Sequence, residues 1–155
     1  MNIEIERKFL INQLPLKIEE TLYIEQYYLS NNKNMVQRLR IFNKKKAIMS
    51  FKEKTSNISK YEFEYSIPLE DAKKMINIAD FPFIIKKRHI ININSLKWEI
   101  DEFLGDNKGL IIAEIELNSE NQKIELPEWI KSEVTSQNKY YNYNLALNPY
   151  ILWSK

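Results

Sequence analysis

The chain has 155 residues, of which 44% are hydrophobic and 28% charged, a composition typical of one globular domain, and we expect a single domain over residues 1–155. A formal net charge of +2 and the lack of any long apolar run predict that neither nucleic acid nor a membrane is a partner, and we expect a cytoplasmic location. No cysteine, one histidine and two glycines exclude thiolate nucleophiles, Cys- or His-rich metal sites and glycine-rich phosphate loops.

The first predicted strand covers residues 3–9, with the sequence IEIERKF. Successive side chains of a strand point to opposite faces, so Glu4, Glu6 and Lys8 share one face and the apolar residues share the other. A single strand of this kind is also typical of a solvated surface. A functional interpretation therefore depends on repetition of the pattern.

Further strands are predicted at residues 22–29, 36–42, 47–52, 60–67, 83–93, 95–103 and 110–117, from runs rich in β-branched and aromatic residues. Leu69, Ala72, Ile76 and Ala79 follow Pro68 at helical spacing, which predicts an amphipathic helix. Two further helices are predicted, from Pro127 to Glu133 and over residues 140–147.

Charges of one sign recur at alternate positions of these strands. The pairs are Arg38 and Arg40, Glu62 and Glu64, Lys86 and Arg88, Glu99 and Asp101, and Glu114 and Glu116. Unrelated surface strands normally mix the signs. Segregated signs predict that the ionic faces meet around an enclosed wet space, in an α+β fold with a closed or nearly closed antiparallel barrel of about eight strands and helices packed outside. Because buried charge is costly, a polyanion with cations explains such a lining better than stability does.

The ordered series of motifs resembles the CYTH superfamily, also called triphosphate tunnel metalloenzymes. The matching motifs are Glu4-Ile5-Glu6-Arg7-Lys8, Gln26-Tyr27-Tyr28-Leu29, Arg38-Leu39-Arg40, Phe51-Lys52, Glu62-Phe63-Glu64-Tyr65, Lys86-Lys87-Arg88, Trp98-Glu99-Ile100-Asp101 and Ala113-Glu114-Ile115-Glu116. The ending, with Leu126-Pro127-Glu128-Trp129 and Tyr140-Tyr141-Asn142, looks like the short bacterial branch, whose members are chiefly inorganic triphosphatases. The resemblance therefore implies metal-dependent hydrolysis of triphosphate in a charged tunnel.

The resemblance also implies roles for individual residues. The substrate ligands are Lys8, Arg38, Arg40, Lys52 and Arg88; the ligands of Mg²⁺ or Mn²⁺ are Glu4, Glu6, Glu114 and Glu116. Tyr28 and Lys86 are the expected catalytic pair, because a tunnel crowded with arginine should depress the pKa of the lysine, although the tunnel acids oppose that shift. The alternative is that both residues only bind phosphate.

Several alternatives remain open. Glu62, Glu64, Glu99 and Asp101 either serve function or pair with the tunnel bases, and His89 alternates onto the outer face, where a structural role is expected. The alternative functions are a class IV-type adenylyl cyclase, a thiamine triphosphatase and a module that binds polyphosphate or nucleotide without turnover. The expected assembly is a monomer or a homodimer.

Overall fold

The computed structural model describes residues 3–32, 34–56 and 58–154, and within these ranges the chain forms eight strands and two α-helices. The predicted domain of residues 1–155 extends past them at both ends. The strands are β1 (Ile3–Leu10), β2 (Glu20–Asn31), β3 (Met35–Phe42), β4 (Lys46–Lys54), β5 (Ser59–Ile67), β6 (Phe83–Ile93), β7 (Leu96–Phe103) and β8 (Ile111–Glu116); the helices are α1 (Leu69–Met75) and α2 (Asn142–Leu147). None of the helices in the described part of the chain is long and apolar enough to cross a membrane.

The strands close into an antiparallel barrel in the order β1-β5-β4-β3-β2-β6-β7-β8, which confirms the predicted fold. β1 joins the two ends of the sheet. Its residues 3–5 pair with β5, and its residues 6–10 pair with β8. Because every strand alternates between the two faces, the even-numbered charges of β1 enter the barrel together.

The outer face of the barrel is apolar and is covered at two places. Ala72 of α1 packs against Leu39 and Met49 on β3 and β4. On the other side, Trp129 packs against the core around Trp98. The amphipathic helix after Pro68 therefore covers the core, as predicted.

The predicted helix from Pro127 to Glu133 is wrong. The residues after Pro127 form a turn and then run alongside β1, where Glu133 makes an isolated bridge with Phe9. Leu10 donates its backbone N–H to Ser132 and accepts one from Lys131, at 2.8 and 2.9 Å. The backbone groups that a helix would have used are satisfied by β1 instead, so tertiary pairing outweighs the helix-start signal of the proline.

The barrel interior is polar over most of its length and apolar at one end. Ile84, Phe103 and Ile112 have the inward alternation of Lys86, Asp101 and Glu114 but form a buried apolar cluster. Leu145 of α2 packs on this cluster. The ionic lining predicted from alternation therefore ends here, because the α2 segment supplies apolar partners.

Candidate active site

A cavity of about 220 Å³ occupies the polar part of the barrel, and about half of the residues that line it are charged. All five cations predicted to bind substrate line it: Lys8, Arg38, Arg40, Lys52 and Arg88. They come from β1, β3, β4 and β6, four strands that a closed barrel turns toward one axis. The structure therefore brings the predicted substrate ligands together.

The four acids predicted to bind metal lie on β1 and β8. Glu4, Glu6 and Glu114 line the cavity, whereas Glu116 is exposed opposite Glu6 in the strand register. Glu4 accepts a hydrogen bond from Lys52 at 2.7 Å. Within the described residues, no three acidic or histidine side chains converge to form a ready-made metal site. In this conformation the cavity acids are paired with lysines instead.

Glu6 and Glu114 are nevertheless close enough to interact directly. Burial and the charge of Glu6 raise the pKa of Glu114 to about 7. Burial alone would also raise the pKa of Glu6. The positive charges of Lys60 and Lys8, together with a hydrogen bond from Glu114, outweigh burial and hold the pKa of Glu6 well below its usual range. Two neighbouring buried carboxyl groups of this kind fit a divalent cation, which relieves the repulsion between like charges and prefers oxygen ligands.

The remaining tunnel acids are paired with bases in this structure, and whether they also serve function stays a prediction. The pairs are Arg38–Glu62 at 2.9 Å, Arg88–Glu99 at 3.3 Å, Arg40–Glu64 and Arg88–Asp101. Asp101 is fully buried and accepts two hydrogen bonds from Arg88, at 2.8 and 2.9 Å. These acids neutralise the arginine layer of the tunnel.

Tyr28 and Lys86 occupy different positions relative to the cavity. The Tyr28 side chain lines it, and its hydroxyl accepts a hydrogen bond from Gln26 at 2.5 Å. Lys86 is only 1% exposed, and its Nζ donates to Asp101 at 2.7 Å and to Asn142 at 3.1 Å. Among the contacts of the described residues, none joins Tyr28 to Lys86 directly. The two are connected through Tyr143, whose ring packs against Tyr28, and its neighbour Asn142, which accepts the hydrogen bond from Lys86.

The pKa of Lys86 is lowered to about 8. Burial is the largest cause, and the neighbouring Arg88 adds to it, whereas Asp101 raises the pKa. The predicted direction is therefore found, with desolvation contributing more than the arginines. At a pH near 8, a substantial fraction of this lysine carries a neutral amine that can accept a proton.

Comparison with known proteins identifies the family. Residues 2–145 match the CYTH domain model. The chain belongs to the CYTH domain family. An inorganic triphosphatase of Acetivibrio thermocellus is 39% identical over 152 residues, which are 97% of each chain. An inorganic triphosphatase of Nitrosomonas europaea is 26% identical over 148 residues, covering 94% of this chain and 97% of the relative. The crystal structure of the inorganic triphosphatase NE1496 superposes with a TM-score of 0.69 at 28% identity, covering 93% of this chain and 94% of that one.

Two parts of this CYTH site were not predicted from the sequence. Lys60 lines the cavity and contacts Glu6 at 3.3 Å. Its position two residues before Glu62 gives it the same inward face, so strand alternation could have identified it. The other part is the cap, residues Tyr141–Tyr143 at the start of α2, which also lines the cavity. No alternation signal could identify the cap, because it lies outside the strands.

His89 lies outside the tunnel, as its alternation predicts. Its ring nitrogens contact the Thr21 hydroxyl at 2.8 Å and the Glu102 carboxylate at 3.0 Å. Both neighbours belong to the strands that flank β6. A structural role for His89 remains a prediction.

Proposed function

We propose that this CYTH protein hydrolyses inorganic triphosphate with the help of Mg²⁺ or Mn²⁺. The observation that carries the proposal is the joint placement of five predicted cations and three predicted metal-binding acids around one cavity. Triphosphate concentrates several negative charges in a short rod, and its cleavage depends mainly on charge neutralisation and on a positioned water. The similarity to inorganic triphosphatases over nearly the whole chain supports the same assignment.

Substrate binding would exchange partners inside the tunnel. Lys52 and Lys60 now hold the carboxylates of Glu4 and Glu6. Each lysine is a point charge on a flexible stem and can turn to a phosphate oxygen. The arginines offer planar, bidentate contacts to phosphate. The ion pairs of the ligand-free tunnel therefore keep its binding groups charged and in place until the substrate replaces the acids.

Triphosphatases of this family generally depend on metal. In this chain Glu4, Glu6, Glu114 and, from the rim, Glu116 would hold the ion. When bound there, the ion would supply positive charge that offsets the negative charge of the substrate. Glu114, whose pKa is raised to about 7, would bind the ion as a carboxylate, and Glu4 would release Lys52.

Lys86 is the proposed general base and Tyr28 its partner in the cavity. The neutral amine of Lys86 would take a proton from a water that enters beside Asn142, while the oxygen of that water attacks a terminal phosphorus. The phosphoanhydride bond breaks, giving pyrophosphate and phosphate. The Tyr28 hydroxyl lines the cavity and would orient the attacking water or the phosphate by hydrogen bonding.

A substrate panel tests the proposal. Purified protein is incubated with triphosphate, ATP or thiamine triphosphate, each with Mg²⁺ or Mn²⁺, and released phosphate and cyclic AMP are measured. We expect phosphate release from triphosphate to be fastest and to require metal. Arg38→Ala should lose this activity, whereas Arg7→Ala, which removes an arginine paired with Glu133 instead of lining the cavity, should retain it.

Other outcomes would replace the assignment. Cyclic AMP as the main product from ATP would indicate an adenylyl cyclase, and preference for thiamine triphosphate would redefine the substrate. Tight binding of triphosphate without turnover under every metal condition would indicate a sensor. Activity that survives in Arg38→Ala would place the reaction outside the tunnel.

A further inference from the structure

The cap contacts four side chains of the tunnel through three consecutive residues. The Tyr141 ring lies beneath the ammonium groups of Lys8 and Lys60, at 5.5 and 5.6 Å from its centroid. The Tyr143 ring packs edge-on against Tyr28 at a centroid separation of 5.2 Å. Between them, Asn142 reaches the ammonium group of Lys86. The cap is therefore in contact with both members of the proposed catalytic pair.

The surroundings of Lys86 contain charges of both signs. Asp101 approaches from β7 and Glu114 from β8, while Arg88 is its neighbour on β6. The Phe103 ring lies 5.7 Å from the ammonium nitrogen. On the remaining side, β2 places the apolar Ile24 opposite Lys86 in the register. The cap adds Asn142 to these neighbours, as a neutral polar contact of Lys86.

A neutral amide has a chemical advantage at this position. The Oδ1 of Asn142 accepts a hydrogen bond from the ammonium form of Lys86. After a half-turn of the amide, its Nδ2 can donate to the lone pair of the neutral amine. A carboxylate such as Asp101 can only accept and therefore favours the charged form. An amide can thus keep a contact with the lysine in either protonation state.

We propose that Asn142 is a positioning residue that holds Lys86 while leaving it able to release and accept a proton. The inference rests on the proposed function, because it matters for turnover only if Lys86 is the general base. It assigns a role in the reaction to the cap at the start of α2, which lies outside the barrel strands. Residue 142 should then tolerate neutral hydrogen-bonding side chains and reject acidic ones.

The test measures the protonation of Lys86 and the reaction separately. The Lys86 pKa is read by NMR titration of protein carrying ¹³C-labelled lysine, with the signal assigned through Lys86→Arg. The pH dependence of turnover is measured with triphosphate and Mg²⁺. The variants are Asn142→Asp, Asn142→Leu and, as a matched control, Asn148→Asp, which makes the same charge change at an exposed position at the end of α2.

We expect opposite shifts from the two variants. Asn142→Asp should raise the Lys86 midpoint by about one pH unit or more, so that turnover below the midpoint falls about tenfold per unit. Asn142→Leu should lower the midpoint, because the ammonium loses an acceptor. Asn148→Asp should leave both readouts unchanged. If Asn142→Asp fails to fold, the inference is tested by Asn142→Leu alone, in which the Lys86 midpoint should move down.

The outcomes separate this inference from the proposed function. Unmoved NMR midpoints in the Asn142 variants would overturn the inference even if the protein hydrolyses triphosphate normally. Shifted NMR midpoints with an unshifted rate profile would also overturn it, together with the assignment of Lys86 as base. Wild-type protein that never hydrolyses triphosphate would refute the proposed function by itself.

Discussion

Asp101 provides a direct test of how the tunnel tolerates its own charges. Its carboxylate is fully buried and accepts hydrogen bonds from Arg88 at 2.8 and 2.9 Å and from Lys86 at 2.7 Å. Asp101→Asn keeps the shape of the side chain but leaves two buried cations without this counter-charge. Removing one partner of a buried ion pair typically costs about 3–5 kcal/mol. We expect the free energy of unfolding to fall by that amount.

The assay is urea unfolding followed by tryptophan fluorescence, which the buried Trp98 makes sensitive to barrel opening. With a urea slope of about 2 kcal/mol per molar, the midpoint should move down by about 2 M. Glu99→Gln is the matched control. Its carboxylate is a quarter exposed and contacts Arg88 at a longer 3.3 Å, so the loss should stay within about 1 kcal/mol.

A second change sharpens the test. Lys86→Met in the Asp101→Asn background removes one of the two uncompensated cations and should recover part of the lost stability. Wild-type stability in Asp101→Asn would refute the neutralising role. A variant that keeps its stability but binds Mn²⁺ more weakly would instead make Asp101 a metal ligand.

Three further predictions concern turnover and binding. Turnover of triphosphate should rise with pH through a midpoint near 8, because burial lowers the pKa of Lys86 to about 8 and the neutral amine is the active form. Lys86→Ala should lose turnover while still binding triphosphate, and weaker binding with an unchanged turnover number and profile would make Lys86 only a phosphate ligand. Glu6→Gln should abolish activity at low metal with at most partial rescue at high metal and an unaltered circular dichroism spectrum; an unchanged metal dependence would remove Glu6 from the metal site. Lys60→Ala should weaken triphosphate binding about tenfold, because the loss of one charged contact costs about 1.4 kcal/mol, and calorimetry measures this change. Lys73 is exposed, so Lys73→Ala should leave the affinity for triphosphate unchanged. Equal affinities of these two variants would exclude Lys60 from the substrate site.

The fold was predictable because the alternation of charge is strong and repeated. Glu4, Glu6 and Lys8 alternate with apolar residues, and same-sign pairs recur on later strands, which leaves few arrangements other than a closed barrel with an ionic interior. The same alternation placed the five predicted substrate ligands correctly on the cavity wall. It stays a prediction which of these charged residues bind metal and which bind substrate. Alternation determines the face of the strand on which a side chain lies, and it does not determine what the side chain binds.

The errors arise where contacts distant in sequence decide the structure. Pro127 gives a local helix signal, yet β1 captures the backbone of the following segment. Asn142 belongs to the ending that resembles the short bacterial branch, but its contact with Lys86 could not be predicted, because it depends on the C-terminal segment folding back onto the barrel. Alternation does place Ile84, Phe103 and Ile112 on the inward face, but the packing of Leu145 on this cluster could not be predicted, because it depends on where α2 folds.

The way β1 closes the barrel has a consequence for biosynthesis. Residues 6–10 of β1 pair with β8, so Lys8 meets Glu114 across 106 positions of sequence. Because the chain is made from its N-terminus, β1 is produced first, and this part of it stays an unpaired edge until β8 follows. Closing so long a loop is also entropically costly and slow. Triphosphate can therefore stabilise the protein only after β8 has closed the barrel. The nascent chain is most exposed to aggregation in the interval before β8 appears.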